Sequence, residues 1–478
     1  MDSLKRQTLD ESSTMDIGVF GQQPGIQIYT QITYIFAIAD DSAAHRAHIT
    51  RTLTGGLGRL GAAFPWTAGQ VVLDDTTARY RFAPIQGATA PDLCVADARS
   101  PDTFAAMEAA GFPFSMLDED NVASRRTFPG QPSEAHLRET HVFMVMAGFI
   151  PGGLLLTFTA HHAVMDMAGQ GEVIRWLSKA CRGDVFTEEE CLAGNCARLP
   201  IVPVLGPDEG GSDPFQLVPE QIIQAAENDG TEPTQLAHPV KSVWSYFEFS
   251  AASLAALKKD ANATLPRAGA PTFVSTNDAY TAFVWQSIVR ARLHRLDAAA
   301  TPSTFARAID MRHFLGVSPS YPGLLQNMTI HTISTVQAVV DAPLGEVAAR
   351  LRSEIDKDKL VRRTRALATC YSHFPDKAAS SISFVGAVDT AAGGFMLSSW
   401  ASVPSHTEDM DFGLGLGVAR AVRRPAFTPV EGLGYLMPQA ADGSIAAGLC
   451  LREADLQRLR DDPVFLKYGK YAGQNIDG

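Results

Sequence analysis

No apolar run in this chain of 478 residues approaches the ~18 positions a helix needs to cross a membrane. The opening stretch Met1-Asp2-Ser3-Leu4-Lys5-Arg6-Gln7-Thr8-Leu9-Asp10-Glu11 lacks both the apolar segment of a secretory signal and the acid-poor character of a transit peptide, so a cytoplasmic location is expected. Cysteine is scarce. The six residues Cys94, Cys181, Cys191, Cys196, Cys370 and Cys450 form no disulfide framework. Only Cys191 and Cys196 lie close together, and with no second pair or neighbouring histidine no metal site is expected there. Forty basic against fifty-two acidic residues leave a net charge of −12, which excludes a general attraction to nucleic acid or anionic lipid. Any anionic ligand has to meet a local basic patch. The chain also has no G-x-S-x-G elbow, no P-loop, no short-period repeat and no low-complexity segment, and without a nucleophile elbow a covalent enzyme intermediate is not expected.

What remains is an ordinary globular composition, 46% hydrophobic and 19% charged, at about three times the length of a ~150-residue domain. Two domains follow as the natural division. From Ile26 to Ile38 the even positions Ile26, Ile28, Ile32, Tyr34, Phe36 and Ile38 are apolar, which predicts a strand with one face on a core. Asp40-Asp41-Ser42 starts a helix over 43–62 that stops at Phe64-Pro65-Trp66. The runs 141–150 and 154–159, separated by Pro151-Gly152-Gly153, predict a hairpin with a three-residue turn. Residues 169–181 place Val173, Ile174, Leu177, Ala180 and Cys181 on one helical face. Residues 197–242, rich in Pro, Gly and acid with one short helical possibility near 220–226, read as a crossover between an N-terminal domain 1–196 and a C-terminal domain 243–478. In the latter, Ser275-Thr276-Asn277-Asp278 predicts a capping box, and Leu344, Val347, Ala348, Leu351 and Ile355 make a helical stripe.

Between the buried strand and the helix of the first half lies His161-His162-Ala163-Val164-Met165-Asp166, at a junction where side chains can project into a cleft. A neutral imidazole accepts a proton near pH 7, since its unperturbed pKa is ~6.5. A carboxylate four residues on could orient the ring or anchor the loop. The same residues suit two other readings: satisfied polar groups of a core, or two imidazoles and a carboxylate on a metal. The hexapeptide alone leaves all three open.

His161-His162-Ala163-Val164-Met165-Asp166 with Gly169 resembles the HHxxxD motif of the BAHD acyltransferases, and Asp411-Phe412-Gly413-Leu414-Gly415 resembles their DFGWG motif. Two motifs about 250 residues apart, in the right order, are far more specific than either. Further segments, among them Phe64-Pro65-Trp66-Thr67-Ala68-Gly69-Gln70-Val71, Tyr321-Pro322-Gly323-Leu324-Leu325-Gln326-Asn327 and Leu397-Ser398-Ser399-Trp400-Ala401, are similar to the fungal trichothecene 3-O-acetyltransferase branch. The resemblance spans most of the chain. It implies two similar chloramphenicol-acetyltransferase-like α/β domains with a channel between them, no bound cofactor, and acetyl-CoA as co-substrate for the acylation of a terpenoid or similar alcohol.

On this resemblance His162 is the general base, and Asp166 points away from the substrate to pair with Arg312. Ser398 and Trp400 match the donors to the tetrahedral oxyanion, plain core packing being the other reading of Trp400. Asp411 and Gly413 support the fold. For the CoA phosphates, the helix start at Ser275 and Thr276 is a candidate, with charge available from Lys357, Lys359, Arg362, Arg363, Arg423 and Arg424. Leu414 stands where the plant form has tryptophan, and Val418-Ala419 stand where the trichothecene branch has Lys-Pro, so that lysine's CoA contact is not carried over. The implied partners are an acyl-CoA donor and a small alcohol, with no nucleic acid, no membrane and a monomeric state. A condensation-type amide former shares HHxxxD but expects carrier proteins. A non-catalytic binder and a metal-dependent hydrolase are the remaining alternatives.

Overall fold

The computed structural model describes residues 15–98, 102–130, 139–206, 209, 213–222, 241–266, 271–373 and 388–472. It is built on two large sheets. The first orders its five strands as Ala421–Arg423, Tyr29–Ala37, Gly153–His161, Phe143–Ile150 and Asp92–Asp97. The second orders seven: Gln326–Ile333, Ser303–Asp310, Phe395–Ser399, Leu433–Leu436, Ile445–Arg452, Ser242–Phe249 and Gly469–Ala472. With helices packed on each sheet, the architecture is two α/β layers of the expected class.

The strand Tyr29–Ala37 is paired on both sides and buried from Tyr29 through Phe36. Its odd positions, Thr33 and Ile35 among them, are therefore as enclosed as the even ones, and the one-faced strand expected from alternation is a two-faced one. Sequence alternation missed this because Thr33 is a buried hydroxyl, bonded to Thr157 Oγ1 at 2.8 Å across the strand pair. The hairpin is tighter than expected. Gly153 belongs to the second strand, and the turn is the two residues Pro151 and Gly152, the glycine at φ +75°. Helix Ala43–Ala63 is capped by Ser42, whose Oγ accepts from the His45 N–H. Helix Thr276–Arg292 has the expected capping box between Ser275 and Asp278. The stripe from Leu344 forms Leu344–Ser353, which ends short of Ile355.

Residues from both halves share one apolar core. Phe412 sets its ring 5.6 Å from that of Phe158 and 6.2 Å from that of Tyr34, and strand Ala421–Arg423 pairs antiparallel with Tyr29–Ala37. The second half thus lends a strand and an aromatic wedge to the first sheet. Residues 207–208, 210–212 and 223–240 of the crossover lie outside the described residues, and with them most of the 220–226 helical possibility. In the described part Arg198 is buried, donates to the Val164 carbonyl at 2.7 Å and stacks on Trp66. That fastens the start of the crossover to the loop after His162.

Candidate active site

Strand Gly153–His161 is buried along its whole length and delivers His162 just past its end. The His162 N–H donates to the Ile28 carbonyl at 2.7 Å, and a tight turn returns the chain into helix Met167–Arg182. Within that turn His162 Nδ1 lies 3.2 Å from the Met165 carbonyl oxygen. A carbonyl only accepts, so Nδ1 carries the proton and Nε2 keeps its lone pair. Burial lowers the pKa of this ring from its ordinary value. The Met165 carbonyl and Asp166 act in the opposite direction, and Arg424 reinforces the lowering. The resting form at neutral pH is the free base.

Asp166 is occupied elsewhere. Its Oδ1 caps the helix by accepting from the Gly169 N–H at 2.8 Å and takes Arg312 Nη2 at 2.9 Å; its Oδ2 takes Arg312 Nη1 at 3.1 Å and the Leu325 N–H at 2.7 Å. Arg312 uses its other donors on the Tyr321 and Gly323 carbonyls and on Asp310. Both side chains are buried. With four protein donors on its two oxygens, Asp166 has no lone pair directed at His162 or free for a metal. Gly169 is required by this packing: a Cβ there would fall 2.1 Å from the Pro322 carbonyl oxygen. Among the described residues no three His, Cys, Asp or Glu side chains gather as a metal site.

His162 lines a cavity of about 300 Å³ whose other walls include Ile28, Met167, Met328, Leu397, Val430 and Leu433 from both halves. Ser398 and Trp400 also line it, from the end of strand Phe395–Ser399. They are not two independent donors. The Trp400 indole N–H donates to Ser398 Oγ at 3.0 Å, which leaves the Ser398 hydroxyl hydrogen as the group free to donate. Trp400 is both wall and support, its ring 4.7 Å from that of Tyr435.

Ser275 and Thr276 stand apart from the cavity. The Ser275 hydroxyl is bonded to Asp278 at 2.7 Å, so it serves the cap. Thr276 lines a separate open groove of about 520 Å³ with Lys258, Lys259, Asn262 and Gln439. Thr276, which lines the groove, and Ser398, which lines the cavity, are chain neighbours of Asn277 and Ser399, whose Oδ1 and Oγ meet at 3.2 Å. The lysines of that groove carried no signal in the sequence beyond ordinary helix-surface charge. Of the other basic candidates, Lys359 pairs with Glu354, Arg363 with Glu220 and Arg423 with Glu248. Arg424 instead lines the cavity itself, a placement no sequence pattern announced.

The second motif lies at the far end of helix Met167–Arg182. The single Ser178 hydroxyl hydrogen is shared between the carbonyls of Asp409 at 2.8 Å and Asp411 at 2.9 Å, and Arg182 donates to the Asp411 carbonyl as well. Asp411 Oδ1 accepts the Gly413 N–H at 2.8 Å, and Gly413 sits at φ +65°, where a side chain would be strained.

The His162 ring with its fixed tautomer and the Ser398 hydroxyl thus share one cavity walled by both halves of the chain. Residues 116–466 match the Transferase family, and residues 28–181 match the trichothecene 3-O-acetyltransferase-like N-terminal domain. The chain belongs to this family, the BAHD acyltransferases, and is an O-acetyltransferase with acetyl-CoA as its co-substrate. It is 42% identical to a trichothecene 3-O-acetyltransferase of Fusarium sporotrichioides over 98% of this chain and 99% of that one. It is 44% identical to the O-acetyltransferase dmxR13 of Cryptosporiopsis sp. (strain 8999) over 96% of this chain and 97% of that one. The crystal structure of the F. sporotrichioides enzyme complexed with coenzyme A and T-2 superposes with a TM-score of 0.85 at 42% identity, covering 97% and 100% of the two chains.

Proposed function

We propose that the chain transfers the acetyl group of acetyl-CoA to a hydroxyl of a terpenoid or similar secondary metabolite, by direct attack of the alcohol on the thioester. The observation that carries this reading is the His162 ring, tied through Nδ1 to Met165 so that Nε2 is the base, in the same cavity as Ser398. The acceptor O–H gives its proton to Nε2 as its oxygen bonds to the carbonyl carbon, and the carbonyl pair moves onto oxygen. The Ser398 hydroxyl donates to that oxygen, with Trp400 holding Oγ in place. The C–S bond then breaks with its pair on sulfur, and Nε2 returns the proton to the thiolate. Asp166 and Arg312 fix the loop, while Asp411 and Gly413 fix the far end of its helix.

The thioester arm reaches the cavity past the Ser399–Asn277 junction, and the CoA phosphates meet Lys258 and Lys259 in the groove that Thr276 lines. Residues 1–196 and 243–478 act as the two working halves joined by 197–242, with 421–423 lent back to the first sheet. The residues assigned these roles all come from one chain, as a monomer would require. A cytoplasmic location fits a chain in which, among the described residues, no helix is long and apolar enough to cross a membrane. The relatives' named activities on trichothecenes support the terpenoid class.

The test is to incubate the protein with acetyl-CoA and a panel of terpenoid and polyketide alcohols, following thiol release and product mass. A mass gain of one acetyl group on a terpenoid alcohol is expected. Turnover confined to amines would sink the assignment.

A further inference from the structure

Among the described residues, Arg424 is the one side chain in the cavity wall with a permanent charge, and it is 3% exposed. Its backbone is pinned: its N–H donates to Tyr246 Oη at 2.8 Å, and that hydroxyl donates back to its carbonyl at 3.0 Å. The guanidinium carbon lies 4.0 Å from the centre of the Phe427 ring, 4.4 Å from that of Tyr435 and 5.6 Å from that of Trp400. Nη2 reaches Thr127 Oγ1 only at 3.5 Å, and Nε has no hydrogen-bond partner. Among the described residues no carboxylate stands within ion-pair distance of it. The acid whose charge it feels, Glu119, is bonded to Gln31 and to the Thr127 N–H.

A buried cation held by aromatic faces and weak hydroxyl contacts, Tyr435 among them, with its nearest acid bonded elsewhere, is stabilised further by negative charge that arrives or forms nearby. Neither the thioester nor an alcohol brings one into the cavity, but the reaction makes two in succession, on the tetrahedral oxygen and on the departing sulfur. We propose that Arg424 belongs to the acyl-transfer machinery, as the fixed positive charge that stabilises the negative charge passed from the thioester oxygen to the CoA sulfur. The inference rests on the reading of this cavity as the place of acyl transfer. Its atoms balance within that scheme: the carbonyl pair moves to oxygen, returns as the C–S bond breaks, and ends on sulfur until Nε2 supplies the proton. Aromatic faces and apolar walls exclude water, so the field of the guanidinium is little screened there. The Trp400 ring it packs on also supports Ser398, so the cation and the hydroxyl donor form one preorganised unit.

The experiment compares acetyl-CoA with fluoroacetyl-CoA, whose fluorine itself stabilises the oxyanion, in the wild type, Arg424→Lys and Arg424→Gln. Arg424→Gln should lower kcat about 10²–10³-fold with acetyl-CoA but at least tenfold less with fluoroacetyl-CoA, at little change in KM, and Arg424→Lys should recover part of the loss. Equal losses on both donors, or an undiminished kcat, overturn the proposal. A measurement on the wild type stands beside it and needs no folded variant. The thiol of bound CoA, followed by its ultraviolet thiolate absorbance against a desulfo-CoA blank, should ionise at least one pH unit below free CoA. Ionisation at the free value overturns the proposal too. Wild-type turnover that depends on His162 but lacks these Arg424 effects leaves the acyl-transfer reading standing and rejects this inference alone.

Discussion

His162 and Asp166 lie four residues apart with separate hydrogen-bond partners, and the duties proposed for them follow from that separation. The imidazole is oriented by a backbone carbonyl of its own turn and needs no carboxylate to set its tautomer. Burial is the largest influence on its pKa, which lies below 6.5. The sign follows: the free base persists as pH falls past 6.5, and activity is lost only at lower pH. The acid limb of kcat/KM should therefore have its inflection below 6.5; an inflection above that value would show that a different group titrates. Ser398→Ala removes the hydroxyl donor proposed for the oxyanion and should lower kcat about 10²-fold while leaving KM for acetyl-CoA within a few-fold. A change confined to KM would make Ser398 a ground-state contact. The role proposed for His162 rests on the motif pair, because a histidine after a strand has several ordinary uses. The coupling of Trp400 to Ser398 was not legible, since a spacing of two residues does not reveal which way an indole N–H points.

At the scale of the element, helix Met167–Arg182 is clamped at both ends by the other half of the chain. Asp166 and Arg312 hold its start, and the Asp409 and Asp411 carbonyls hold Ser178 and Arg182 near its end. The HHxxxD and DFGLG segments thus act on one helix, which gives a physical reason for both. Asp166→Ala would leave the Arg312 guanidinium buried without its main counter-charge, at a cost of about 3–5 kcal/mol. Urea unfolding should show that loss, together with a fall in kcat as the loop relaxes. An unchanged midpoint with lost activity would instead make Asp166 a chemical participant. Helices with caps and stripes were readable in advance, as Ser275 and Ser42 show. The hairpin was misread by one residue because glycine is equally at home in a turn and at a strand's edge, and only pairing with Ile150 and Ala37 assigns Gly153.

For the whole molecule, the α/β class followed from the family resemblance. The exchange of strand Ala421–Arg423 into the first sheet did not, since a three-residue strand has no periodicity to read. The fold also buries two neutral histidines. His161 is pushed down to about 3 by burial, with His162 and Arg125 adding to it, and His331 likewise by burial, then by Arg307, Lys359 and Arg363 against Asp278. Each ring binds a proton near 6.5 when unfolded but only near 3 when folded. Their contribution to stability is therefore intact above 6.5 and declines as pH falls through that window, at about 1.4 kcal/mol per pH unit for each. His331→Gln should flatten the fall in unfolding free energy between pH 6 and 5 by up to that amount. An unchanged slope would mean that His331 charges within the fold.

The central claim is that one imidazole, oriented by the backbone, carries the proton chemistry between an alcohol and acetyl-CoA. It is tested most directly by thiol release from acetyl-CoA, with an accepted alcohol, in His162→Ala beside the wild type, at matched thermal melting temperature. A fall in kcat of about 10²–10⁴-fold in a folded variant is predicted. Turnover undiminished in that variant would contradict the account.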